Sequence, residues 1–555
     1  MLVGLIAINL VASFIHQRFD LTEEKRYSLS KETKNLLLDL RQPVKIEVFL
    51  KGDYPAGFKK LANSVREFLQ ECKEYGKGNF QYEFTDPLKG LSDSSAQYLM
   101  DSINYYYEIP AFMLQAPSKV GDEQTQKMVI PGAIIHYADT TIGVNLLRGE
   151  KSFGTEPEQL AALYNNVEAS MEYKFASAIQ KVTLKEKPKV GYALGNGEGW
   201  GYNVDDAIRT LFKNYRLDTV NLKTTPLIPQ YDALVVLKPT IAFTDADKMK
   251  VDQYVMHGGK VFWMIDNMYA EFDSLYKSQG FIAFDRALNL EDILFNYGVR
   301  INQSLLQDMQ ADQLPQVSNN GSGQSRLVDW PFFPVLNGTN HPISKNLDGV
   351  RSMFPTTIDT VEASGIKKTF LLQSSSNARV LDAPAKIDFQ FLQIAPDVKQ
   401  FQKKNVPVSV LLEGKFNSLY AGRISKTIKD SMAASGYSFL NNSGDNKMIL
   451  VADGDIAMNP YSSNTGPLPM GTNVFTHYTY ANKEFFSNCL DYLVNPTDIL
   501  KTRAKQFTLR LLDPKKTSEE KTQWQLVNIA LPIILIIIFG IIYQQFRRYR
   551  FTGKA

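Results

Sequence analysis

Residues 233–265 read ALVVLKPTIAFTDADKMKVDQYVMHGGKVFWMI, and this stretch decides the fold class. ALVVL and KVFWMI are short runs without polar alternation, the pattern of strands buried on both faces. Between them, Thr244 and Asp247 form a capping-box start for a helix over 245–257, and Gly258-Gly259 stops it. Strand, helix and strand in this order imply a parallel sheet covered on two sides. The pattern extends outward through VGYAL (190–194), a glycine-rich turn, a helix over 203–214 and DTVNL (218–222). It returns in TFLLQ (369–373), PVSVLLEG (407–414) and MILVADGD (448–455), before a helix around 485–493. Polar, Gly/Ser-rich residues near 304–326, ending in SNNGSGQSR, read as a flexible loop or insertion.

Upstream, VKIEVFL (44–50) reads as a strand. Phe58, Leu61, Val65, Phe68, Leu69 and Cys72 then recur at helical steps, which places Cys72 on a buried face. FQYEF (80–84), a helix near 93–106, AFML (111–114), AIIHY (133–137) and a long helix carrying Leu160 to Ile179 complete a β-α-β-α-β-β-α order. That order is thioredoxin-like, and Ile109-Pro110-Ala111 stands where such folds place a cis-proline. No C-x-x-C is present, so a redox role is not expected. The charged, Pro-containing KEKPK (185–189) reads as a linker, giving domains over 18–184 and 188–500, the second with its insertion near 304–340, and a juxtamembrane segment over 501–523.

Both ends are apolar. Residues 526–543 (LVNIALPIILIIIFGIIY) hold no charge and span about 27 Å as a helix, near the hydrocarbon thickness. Trp524 and Tyr543 bracket them, so a transmembrane helix is expected over 524–545 with a basic tail over 546–555. Residues 1–17 are expected to be a second, short anchor. Arginines and lysines flank the C-terminal span equally on its two sides and leave orientation open. Across the 555 residues, 61 basic groups nearly balance 58 acidic ones, so no basic face suited to nucleic acid is implied.

The glycine-rich turn is the one candidate binding loop: Gly195, Asn196, Gly197 and Glu198 lie between a strand and a helix, where backbone N–H groups can cradle an anion. Trp200 occupies the third glycine position of a dinucleotide fingerprint, so a tight structural crossover is the stronger expectation. Asp453-Gly454-Asp455 ends a strand and offers two carboxylates for a cation, but with no third acid near in sequence an ordinary turn is expected. There is no Walker A lysine loop and no G-x-S-x-G, and the five scattered histidines show no metal or nucleophile-base spacing. Neither Cys72 nor Cys489 has a partner pattern. An enzyme, a metal and a cofactor are all unexpected.

The run RFDLTEEKRYSLS (18–30), followed by PVKI (43–46), resembles the auxiliary subunits of bacterial gliding-motility ABC transporters, the ABC-type transport auxiliary family. The similarity continues through VGYALGNGE, DALVVLKPT, HGGKVFWMID and HPISKNLDGVRSMFPT. It implies a periplasmic body on an inner-membrane anchor, in contact with membrane lipid, working with a membrane subunit (GldF) and an ATPase (GldA), with homo-oligomerisation inside that complex left open. The second domain also resembles the amidotransferase-like α/β domain of some intraflagellar-transport proteins. The enzymes of that fold use a cysteine nucleophile, and residues 188–488 contain none. The alternative to a non-catalytic accessory is a sugar- or peptide-binding receptor, or a degenerate hydrolase, that uses the glycine-rich turn.

Overall fold

The computed structural model describes residues 28–552 except 53, 55, 118–123, 148–156, 279, 318–324, 390–395, 435, 496–497 and 505–513. The expected first anchor and most of the 18–30 run lie outside the described residues. The chain forms two compact units, Met1–Gln506 and Phe507–Ala555.

The first unit opens with helix α1 (Lys31–Leu38), started by Ser30, whose hydroxyl accepts the Thr33 N–H. Strand β1 (Val44–Val48), helix α2 (Ala56–Gly76), β2 (Phe80–Phe84), helix α3 (Asp93–Tyr107), a hairpin of β3 (Phe112–Pro117) and β4 (Gln124–Val129), then β5 (Gly132–Tyr137) and β6 (Thr140–Asn145) follow. The sheet order is β2-β1-β5-β6, with β1 parallel to β2 and antiparallel to β5. AFML therefore pairs in the separate hairpin and not in this sheet. The one cis peptide bond among the described residues is Ala383–Pro384, so Ile109–Pro110 is trans.

The long helix α4 (Pro157–Thr183) packs against both halves of this unit. Val167, Met171, Phe175 and Ile179 enter the core around β1 and α2, while Tyr173 and Ala176 enter the core of the larger sheet. From residue 163 to 183 only Asn166 is exposed.

The larger sheet has ten strands. β7 (Lys189–Leu194) leads through a short 3₁₀ turn to helix α5 (Asp205–Asn214) and β8 (Arg216–Asn221), and then come β9 (Ala233–Leu237), helix α6 (Asp245–Met256) and β10 (Val261–Met264). These strands and Asn442–Val451 run parallel in the order Asn442–Val451, β10, β9, β7, β8. Beyond Asn442–Val451 the sheet turns antiparallel through Pro407–Asn417 and Ile366–Gln373, so the expected all-parallel sheet is mixed. Alternation along β10 explains its apolar composition: Phe262 meets Phe486 of helix Asn482–Val494 on one face, and Trp263 meets Phe243 on the other. The Thr244–Asp247 capping box is present as expected.

The expected flexible loop or insertion near 304–326 is corrected in part: residues 318–324 lie outside the described residues, and the residues flanking them form strands. Ser304–Asp308, Ala311–Val317 and Ser325–Gly338 are strands, the last two forming a hairpin. Trp330, Phe332, Phe333 and Phe354 cluster beside them in a separate core, with Trp330 and Phe333 rings 4.7 Å apart. The second unit contains the continuous helix Pro514–Thr552, with every residue from 521 to 550 exposed except Ala530, which is half-buried.

Candidate functional site

The chain leaves β7 for β8 on one side and returns to β9 on the other, so the carboxyl ends of β7 and β9 flank a topological switch point, where open α/β sheets place ligands. The glycine-rich turn begins there. Gly195 and Gly197 have φ of +109° and +82°, and a Cβ on Gly197 would stand 2.1 Å from Thr240 Oγ1, so this loop requires glycine. The Asn196 carbonyl accepts the Thr240 and Ile241 N–H groups, both at 2.8 Å, and its side-chain amide donates to the Ala242 carbonyl at 3.2 Å. Glu198 Oε2 accepts the Asn196 N–H at 2.7 Å. The loop is therefore stapled to the segment after β9, as a structural crossover would be. Two oxygens are left over: Asn196 Oδ1 and Glu198 Oε1 are buried without a hydrogen-bond donor. Burial raises the Glu198 pKa above its ordinary value.

A second group of side chains lies along the same sheet edge. Lys238 directly follows β9, Asp266 follows β10 by two residues, and Asp453 and Asp455 follow Asn442–Val451. Lys238 Nζ lies 3.1 Å from both Asp266 Oδ2 and Glu271 Oε2 and also donates to Asp455 Oδ1. Asp266 Oδ1 accepts the Gly454 N–H, and Asp453 accepts from Ser352 Oγ, the Met353 N–H (3.0 Å) and the Asp455 N–H (2.7 Å). Arg286 holds the far oxygen of Glu271. Lys238 itself has φ +46°, a left-handed conformation that a non-glycine residue keeps only where its surroundings fix it.

Four carboxylates thus meet two cations in a largely dry setting. Burial, with the charges of Asp266 and Asp455, pushes the Asp453 carboxyl well above its usual range. Burial also raises Asp455 to about 7 despite the opposing pull of Lys238. Burial works against the Lys238 charge, yet Asp266, Asp455 and Glu271 hold its pKa well above the ordinary lysine value. One oxygen from each of Asp266, Asp453 and Asp455 lies within 4.8 Å of the others, an all-oxygen set of the kind that suits a hard divalent cation. Lys238 already pairs with two of the three, so a metal would have to compete with its ammonium. The arrangement gathers carboxylates that could share a proton or hold a cation, with the Ser352 hydroxyl tied to Asp453.

The sequence reading missed Lys238 and Asp266. The usable signal was positional: each follows a doubly buried apolar strand closely, as Asp453 does. A cleft of about 140 Å³ between the two halves of the first unit is lined by Glu108, Lys181, Lys213, Lys483 and Asp491, and these charges pair with one another or with Asp206. His341 is half-buried, and that burial lowers its pKa to about 4, so it stays neutral at physiological pH. Both cysteines are buried, and burial pushes both thiols well above their ordinary pKa. Neither is therefore expected to react with Ellman's reagent in the native protein, and both should react in denaturant; a rapid native reaction would contradict their core placement.

Fold and site together define an α/β protein with a charged, inward-tied sheet edge, on a chain that also carries one helix long and apolar enough to cross a membrane. A family model described as an ABC-type uncharacterized transport system matches residues 187–489, more than half the chain, and the chain belongs to that family. A domain of unknown function, DUF7088, matches residues 23–136. An uncharacterized protein of Borreliella burgdorferi is 18% identical over 563 positions, covering 97% of this chain and 93% of that protein. Among solved structures, the mmIFT52 N-terminal domain aligns with a TM-score of 0.31 at 12% identity, over 55% of this chain and 97% of that one. A ThuA-like protein from Parabacteroides merdae aligns with a TM-score of 0.23 at 11% identity, over 60% and 94%. Both structural likenesses are too distant to carry an argument.

Proposed function

We propose that the chain is a non-catalytic accessory subunit of an ABC transporter required for gliding motility, with its body in the periplasm, both ends anchored in the inner membrane and the basic tail in the cytoplasm. The observation that carries the reading is the family match over residues 187–489, on a chain that also has an apolar helix, Glu520–Arg550, with no buried residue and long enough to cross a bilayer. The partners on this reading are a GldF-type membrane subunit and a GldA-type ATPase. We further read the β2-β1-β5-β6 half as thioredoxin-like and the larger sheet as amidotransferase-like, both used as binding scaffolds.

Purification of the tagged chain from native membranes is expected to recover the membrane subunit and the ATPase; recovery of neither would reject the accessory role. A cysteine at exposed position 326 (R326C) should label in intact spheroplasts with an impermeant maleimide. Labelling only after the inner membrane is opened would put the body on the cytoplasmic side.

A ligand-binding role for Gly195, Asn196, Gly197 and Glu198 is the second reading, favoured by the two buried oxygens without donors. It requires a sugar or peptide that raises the melting temperature of the wild type and not of E198Q.

A further inference from the structure

We propose that the last turns of helix Pro514–Thr552 form a docking surface for anionic phospholipid headgroups, an inference resting on the reading that this helix spans the membrane. The helix continues without a break beyond the apolar 526–543 segment, and Arg547, Arg548 and Arg550 follow that segment, all exposed. No carboxylate occurs in the helix after Glu520, whereas the opposite flank mixes Lys515, Lys516 and Lys521 with Glu519 and Glu520. The two ends of the span therefore differ in field even though their basic residues are similar in number.

Geometry favours lipid over a protein groove. At about 100° per residue, Arg547 and Arg550 lie about 60° apart and Arg548 lies about 100° to the other side, so the three guanidinium groups cover roughly 160° of the circumference. A protein surface meets one stripe of a helix, while the headgroup layer surrounds it. At about 1.5 Å per residue, Arg547 to Arg550 stand about 6–10 Å beyond Tyr543, at the depth of lipid phosphates. Tyr543, Phe546 and Tyr549, exposed and spaced three residues apart, set that depth with rings suited to the interface. Arginine adds bidentate hydrogen bonding to phosphate oxygens, which a lysine tail would lack.

The test uses the full-length chain in proteoliposomes of phosphatidylcholine and phosphatidylglycerol at a 3:1 molar ratio, extracted into copolymer discs whose lipid is quantified. Wild-type discs are expected to hold about twofold more phosphatidylglycerol than the bulk ratio. The R547Q/R548Q/R550Q variant should fall to the bulk ratio, while K515Q/K516Q/K521Q keeps the enrichment. Wild-type discs at the bulk ratio, or enrichment that survives loss of the arginines, would overturn the proposal. Enrichment abolished by inorganic phosphate would assign the arginines to a soluble phosphate ligand and overturn it equally. Carbonate extraction separates the two readings: a chain released by carbonate rejects the span, and a retained chain at the bulk ratio rejects only the lipid preference.

Discussion

Replacing Lys238 with methionine is expected to lower the unfolding free energy by about 3–5 kcal/mol at pH 7.5, since removing one partner of a buried ion pair strands the opposite charges without solvation. Here three carboxylates, Asp266, Glu271 and Asp455, lose the same ammonium. The loss should depend on pH. Asp455 is raised by burial from 3.8 to about 7, so the stability it contributes is fully present below about pH 4 and fades as pH rises through about 7. Lys238 is the charge that pulls the Asp455 pKa down, so without it that carboxyl titrates higher still and is neutral at pH 5, where it no longer needs the ammonium. Urea unfolding of K238M against wild type should therefore show a deficit that narrows from pH 8 to pH 5. A deficit that does not change with pH would mean that Lys238 acts through packing alone.

Trp330→Ala is expected to cost about 3–5 kcal/mol, the range for deleting a large aromatic side chain from a close-packed core. Trp330 is wholly buried among Phe332, Phe333 and Phe354. If the region were a flexible surface insertion, the same change would fall within about 0.5 kcal/mol of wild type. Urea unfolding followed by near-ultraviolet circular dichroism distinguishes these outcomes, since the cluster holds several aromatic rings in one fixed geometry.

What the chain disclosed of its fold follows the range of the interactions involved. Helix α6 was legible to its first residue because its start depends on Thr244 and Asp247, three positions apart. β9 and β10 were legible because burial on both faces leaves no polar alternation. The hairpin of Ala311–Val317 and Ser325–Gly338 was misread because its polar connection dominated the local composition, while the aromatic residues that hold it find their partners in Leu305, Phe354 and Ile387. The candidate loop was placed correctly between strand and helix, although nothing nearby announced that Thr240 and Ile241 would saturate its backbone. Of the carboxylate cluster only Asp453 and Asp455 were legible, and its distant members were missed for a related reason. Asp266 lies 188 residues from Gly454, whose N–H it accepts, and Lys238 lies 217 from Asp455, so only the parallel pairing of β9, β10 and Asn442–Val451 brings them together.

From residue 163 onward helix α4 has almost no face left for water, and its side chains are divided between two cores. Tyr173 donates to Asn488, and Lys181 pairs with Asp491, which also accepts the Tyr215 hydroxyl at 2.6 Å, so the division is fastened by polar contacts as well as by packing. A helix shared in this way works like a common axle. Neither half can be cut free without exposing an apolar flank of it, and neither can turn without carrying the other. The small sheet and the large one are thus joined through opposite flanks of one helix, an axle whose removal would take the core lining of both.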